Sequence, residues 1–163
     1  MNLELSTIAP TFRRRRAPSG VAYRHVLVPV AGDADMEAVT IACRLAADRE
    51  AVVTAVHVIE VPLELPLDAH MFNEDAESKR LLSDAAAIGD LYGVNVEQRV
   101  VRDRFAGEAV AAAATETRSE IIVIAATVHV HVARRARALG STVEFILNHA
   151  PCRVLVTAAA DAA

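Results

Sequence analysis

The sequence predicts an α/β domain: a five-stranded, mostly parallel sheet between two layers of helices. Three observations carry this. Short apolar, β-branched runs alternate with segments of helical periodicity in the order β-α-β-α-β-α-β-α-β. Strands separated by helices need crossover connections, and crossovers make neighbouring strands parallel. The chain has 163 residues, 53% of them apolar, which suits one domain around one core.

Each element has its own signal. His25-Val26-Leu27-Val28-Pro29-Val30 is a buried strand, and Ala31-Gly32-Asp33 is a turn with Asp33 as a helix N-cap candidate. Met36, Val39, Cys43 and Ala46 recur at helical spacing, and residues 52–58 form a second strand. A long connection holding Pro62 and Pro66 leads to a helix over 74–92, with Ala76, Leu81, Ala85 and Ile88 facing inward and Gly93 as its stop. Residues 94–101 alternate, as expected of a strand near a sheet margin, and 107–118 read as an Ala-rich helix. Ile121 to Ala125 is the most apolar run and reads as the most central strand. A loop over 126–139 precedes a helix over 141–149, with Val143, Ile146, Leu147 and Ala150 inward, and Pro151 ends it. Residues 154–157 are the last strand. The expected organisation is a basic flexible tail over 1–22, the folded domain over 23–158 and a short tail over 159–163.

Composition narrows the function. Net charge is −4, but Arg13, Arg14, Arg15 and Arg16 stand in a tail with one acid, leaving 13 bases and 20 acids for the rest. An acidic body argues against nucleic-acid binding by the folded domain, and 4% aromatics leave few stacking platforms. Cys43 and Cys152 lie in apolar patterns without CxxC spacing and read as two buried thiols in a reducing cytoplasm. The arginines are followed by Ala17-Pro18-Ser19-Gly20 rather than an apolar segment, so no secretory signal is expected. The apolar run 121–133 is too short to span a bilayer.

In a sheet of this type ligands bind at the carboxyl ends of strands, near the point where strand order reverses. The loops after Val30, Val58 and Ala125 are therefore the place for a site. There the chain resembles the universal stress protein family. Val26-Leu27-Val28-Pro29-Val30-Ala31-Gly32 is similar to the family's opening V-P-V-D-G-S, and Leu139-Gly140-Ser141 through His149-Ala150-Pro151-Cys152-Arg153-Val154-Leu155-Val156 is similar to its L-G-S…H-A-P-C-P-V-L-V ending. The resemblance spans about residues 23–157 and implies the adenine nucleotide alpha hydrolase-like fold. The segment from Val58 to Ala69 is similar to a narrower group, the domains attached to bacterial amino-acid permeases.

The resemblance implies a nucleotide site around Pro29, Ala31, Val58, Thr127, Val130, Gly140, Ser141 and Thr142. Members that bind ATP carry G-x2-G-x9-G-[S/T], in which glycines let backbone approach phosphates and amides at a helix start face the anion. With the last pair on Gly140-Ser141, the earlier glycines fall on Thr127 and Val130, and the family's adenine-side aspartate falls on Ala31. A β-branched residue at a glycine of positive φ is strained, so the site reads as degenerate. Gly140, Ser141 and Thr142 remain, either as an anion site or simply as a helix start capped by Ser141. Arg134, Arg135 and Arg137 either replace the lost amides as phosphate ligands or form a solvated loop. The candidate ligands are ATP, AMP or a cyclic adenine nucleotide.

Other polar residues carry less. His129 and His131 alternate, but two ligands do not make a metal site. His57 and His149 read as structural, Asp103 and Glu108 as surface or helix-start acids. No nucleophile–base–acid set is present. The expectation is a non-enzymatic, cytoplasmic regulatory module. By resemblance it is a homodimer joined through Val154, Leu155 and Val156. The alternatives are a ligand-free interaction domain contacting a protein partner or an acidic membrane surface through Arg13 to Arg16, and a slow ATP hydrolase.

Overall fold

The computed structural model describes residues 22–46, 50–127 and 140–159. Five strands, β1 (His25–Pro29), β2 (Val52–Glu60), β3 (Asn95–Asp103), β4 (Ile121–Thr127) and β5 (Arg153–Ala159), form one sheet in the order β3-β2-β1-β4-β5. Every pairing is parallel. Helices α1 (Met36–Leu45), α2 (Phe72–Tyr92), α3 (Ala106–Glu116) and α4 (Ser141–His149) make the crossovers. The tail over 1–21, with its arginines, lies outside the described residues, as does the segment 128–139.

Alternation along β1 divides the core. Val26 and Val28 pack with Val39, Cys43, Leu81 and Leu82 under α1 and α2. Leu27 packs with Val110, Ile122, Val143 and Ile146 under α3 and α4. Successive side chains of a strand point to opposite faces, so a strand covered on both sides needs a continuous apolar run.

Four expectations change. The central strand is β1, flanked by β2 and β4; β4 is as apolar because it too lies under helices on both faces. The inward row of α2 is Ser78, Leu81, Leu82, Ala85 and Gly89, which leaves Ala76 exposed. Ala76 lies two residues, about 200° of rotation, from Ser78. On α4, Leu147 is exposed while Val143 and Ile146 are buried. Cys152 is only half-buried and packs on the α3/α4 side, whereas Cys43 is buried on the other, and both are free thiols.

Helix ends follow their residues. Gly93 closes α2 with φ +66°, a conformation that L side chains adopt at a cost. Gly89 lets α2 lie against β3: a Cβ there would stand 2.3 Å from Val96 Cγ2 and 2.8 Å from the Val94 carbonyl. The connection after β2 is held by two arginines of the β3 end. Arg102 donates to the Ala69 carbonyl at 2.8 Å, and Arg104 to those of Val61 at 2.9 Å and Leu65 at 2.7 Å. Among the described residues no helix is long and apolar enough to cross a membrane.

Candidate functional site

The connection from β1 runs through α1 to β2, and that from β3 runs back past β1 to β4. Order therefore reverses between β1 and β4, and the crevice at their carboxyl ends is where such sheets hold ligands. A cavity of about 240 Å³ lies there. Pro29, Val30 and Ala31 supply one wall, Val56, Val58 and Glu60 of β2 a second, Ile124 and Ala125 of β4 a third. Ala106 and Val110 of α3 and Thr142 and Val143 of α4 close the side beneath. Asp35 also faces the cavity. An apolar box with a few placed polar groups is the usual make-up of a small-molecule site.

The two carboxylates are fixed by backbone amides. Asp35 ends a short 3-10 turn, Asp33–Asp35, and its Oδ2 accepts the N–H of Ala31 at 2.7 Å and of Gly32 at 2.9 Å. Asp33, the N-cap expected from sequence, instead pairs with Arg80 of α2 at 2.9 Å, and Gly32 holds the cap position. Burial pushes the Asp35 carboxyl up from its ordinary range, against the downward pull of the two amides and of nearby His57. Glu60, the last residue of β2, accepts the N–H of Ala106 at the start of α3 at 2.9 Å. Oδ1 of Asp35 and the second oxygen of Glu60 have no hydrogen-bond partner among the described residues.

His57 is buried, and its Nδ1–H donates to the Val30 carbonyl at 2.7 Å. It anchors the end of β1, as a structural histidine should. His149 does the same for α4, bonding the Phe145 carbonyl at 3.0 Å. Asp103 accepts the N–H of Arg104 at 2.6 Å, and Glu108 stands in the first turn of α3. Among the described residues no group of three or more His, Cys, Asp or Glu is placed to hold a metal ion.

Of the residues singled out by resemblance, Pro29, Ala31, Val58 and Thr142 line the cavity. Ser141 lines an adjoining one of about 170 Å³ with Thr142, Glu60, Phe105 and Phe145. Gly140, not Ser141, is the N-cap of α4, and no side chain caps that helix start. Gly140 has φ −64°, open to any residue, and nothing lies within 4 Å of the place of a Cβ. Thr127 is the last residue of β4, while Val130, Arg134, Arg135, Arg137, His129 and His131 lie outside the described residues.

The reading from sequence missed Asp35 and Glu60. Asp35 stands four residues beyond Ala31, and Glu60 is the acid that ends an apolar strand. An acid within a turn of a strand's carboxyl end was the available signal for both. Ala106, Val110 and Val143 carry no such mark, because they reach the cavity only through packing.

The chain's likenesses agree with this geometry. A structure from the universal stress protein family of Burkholderia pseudomallei is 26% identical, with a TM-score of 0.63, over 85% of this chain and 98% of that one. A universal stress protein in complex with cAMP is 21% identical, with a TM-score of 0.64, over 85% and 99%. The universal stress protein from Archaeoglobus fulgidus in complex with dAMP is 21% identical, with a TM-score of 0.63, over 82% and 97%. Comparison with curated proteins gives no match. The family model for universal stress proteins matches residues 22–158, nearly all of the region that holds the sheet, its helices and the cavity, and the chain belongs to the universal stress protein family.

Proposed function

We propose that this chain is a non-enzymatic regulatory module that binds an adenine nucleoside or nucleotide in the cavity at the switch point and works as a dimer. The observation that carries the reading is the placement of Asp35. The resemblance implied an aspartate where Ala31 stands, and Asp35 returns a carboxylate to the same turn, held by the Ala31 amide itself at 2.7 Å. Its Oδ1, without a partner among the described residues, suits a ribose hydroxyl or an exocyclic amine, while the apolar walls of Val56, Val58 and Ile124 suit a base. The uncapped start of α4 suits one anionic group. Two proteins of this fold were solved with cAMP and with dAMP, each an adenine compound with a single phosphorus centre. The site is thus remodelled from the family pattern, with its acid drawn from a later position.

Titration calorimetry with adenosine, AMP, cAMP and cyclic di-AMP tests this, beside Ala106→Trp, which places a large side chain in the cavity from the first turn of α3. Micromolar binding by the wild type and its loss in Ala106→Trp support the site. Absence of binding to all four compounds by the wild type overturns it.

Dimerisation is supported by the edge position of β5. It ends the sheet, and Leu155 is exposed along it. A bare strand edge offers unpaired N–H and C=O groups that a second copy can satisfy.

A further inference from the structure

We infer that the connection after β2 is a docking surface, and that its occupant is the chain's own N-terminal segment over residues 3–16.

The connection has a fixed backbone, yet its leucines stay out of the core. Two successive hydrogen-bonded turns shape it. The Leu65 N–H donates to the Pro62 carbonyl at 3.1 Å, and the Ala69 N–H to that of Pro66 at 3.0 Å. Arg104 donates to the carbonyls of Val61, Pro62 and Leu65, and Arg102 to that of Ala69 and to the Asp75 carboxylate. On this backbone Leu63 is 78% exposed and Phe72 83%, and Leu65 and Leu67 are exposed as well. Exposed apolar side chains scattered singly are ordinary, but four large ones within ten residues of chain mark a contact site.

The surroundings of these side chains are acidic. Residues 60–77 hold Glu60, Glu64, Asp68, Glu74, Asp75 and Glu77, and no lysine or arginine. Arg102 takes up Asp75 and Arg80 takes up Glu77, while Glu64, Asp68 and Glu74 are exposed. Exposed Asp84 and Asp90 continue the acidic surface along α2 toward the amino end of the sheet. An apolar patch among acids selects a partner that carries apolar side chains and positive charge, and like charge turns away an anionic membrane. Residues 3–16 have that make-up: Leu3, Leu5, Ile8 and Phe12, then Arg13 to Arg16, with Glu4 as the one acid.

The segment is long enough, and its order fits. The described structure starts at residue 22, before the amino end of β1. The patch lies past the opposite end of the sheet, beyond Glu60, about 26 Å along the nine residues of β2. Residues 3–12 stand ten to nineteen residues before residue 22, an extended reach of about 33–65 Å. The arginines stand six to nine residues before it and reach about 20–30 Å, which places them beside α2 while the apolar residues meet the patch.

Limited trypsin digestion of the full chain tests this, with cleavage after Arg13 to Arg16 followed by mass spectrometry. Wild type is compared with a patch variant, Leu63→Ser/Leu67→Ser/Phe72→Ser, and with a tail variant, Leu5→Ser/Ile8→Ser. The substituted patch side chains are exposed, so circular dichroism should match wild type, and the tail variant leaves the sheet and helices untouched. Cleavage is expected to be about tenfold or more faster in both variants, and faster in wild type at high salt. Equal rates in the three proteins overturn the inference. Protection that wild type loses on dilution also overturns it, because a second copy is then the occupant. So does a patch variant that speeds cleavage only after Arg134, Arg135 or Arg137, because residues 128–139 are then the ones that cover the patch.

Discussion

Asp35 Oδ2 accepts the N–H of Ala31 at 2.7 Å, so the residue that stands in place of an expected aspartate is hydrogen-bonded to one four positions later. The same oxygen also takes the Gly32 N–H at 2.9 Å. Asp35→Asn keeps an acceptor for both amides but removes the charge, while Asp35→Ala removes both. Hydrogen bonds to charged groups contribute more than neutral ones by about 1 kcal/mol. Asp35→Asn is therefore expected to weaken adenosine binding about fivefold without lowering stability at pH 7. Asp35→Ala should weaken it further and lower stability by about 1–2 kcal/mol. Calorimetry and urea unfolding of the two variants separate these effects.

Asp35 and Glu120 should pull the acid stability profile in opposite directions. Burial raises the Asp35 carboxyl above its ordinary 3.8, so between the two values the folded state holds more protons than the unfolded one. Its contribution to stability therefore declines as pH rises through that window. Glu120 is lowered by the amides of Arg24 and His25, which it accepts at 2.6 and 3.3 Å. Its contribution is present above the ordinary glutamate range and is lost as pH falls through its folded value. Urea unfolding between pH 3 and 6 should show a shallower acid loss for Glu120→Gln and a steeper net rise with pH for Asp35→Asn. Identical profiles for wild type and both variants would contradict the assignment.

The β5 edge predicts the oligomeric state. Leu155 is 37% exposed on the outermost strand. Leu155→Glu places a charge where a second copy would seat and should convert dimer to monomer by light scattering, with the helical circular dichroism retained. A wild type that is monomeric at micromolar concentration removes the β5 dimer.

Gly89→Ala should destabilise the domain by about 1–3 kcal/mol, because its Cβ meets both Val96 Cγ2 and the Val94 carbonyl. Adding Val96→Ala relieves the first contact but not the second, so it should restore only part of the loss. Thermal or urea unfolding of the three variants measures this.

The thiols should be slow to react in the folded protein. Burial pushes Cys43 up to about 11 and also raises Cys152, so neither forms thiolate readily at pH 8. Alkylation that reaches full extent only in denaturant is the expected result.

Much of the architecture was legible in the residues because its causes are local. β-branched runs at 25–30 and 52–58, helical recurrence through Val39 and Cys43, and Gly93 after α2 each act within a few residues. The alternation in 94–101 marked a margin strand, since β3 is packed against a single neighbour. Hydrophobicity did not separate β1 from β4, because helices cover both faces of each.

The site was legible only in part. Pro29, Ala31, Val58 and Thr142 came from a matched pattern at strand ends and do line the cavity. Glu60 meets Ala106 across 46 residues of chain, and His57 meets Val30 across 27. Such contacts depend on strand order and on helix placement over the sheet, which periodicity does not encode. By itself the sequence determined which segments become strands and helices, through local propensity and the burial pattern. Only the tertiary structure decided that β1 sits at the centre, that Asp35 beside the cavity accepts the Ala31 and Gly32 amides, and that Glu60 accepts the amide at the start of α3. Those facts depend on which distant groups satisfy one another's hydrogen bonds once the core has packed.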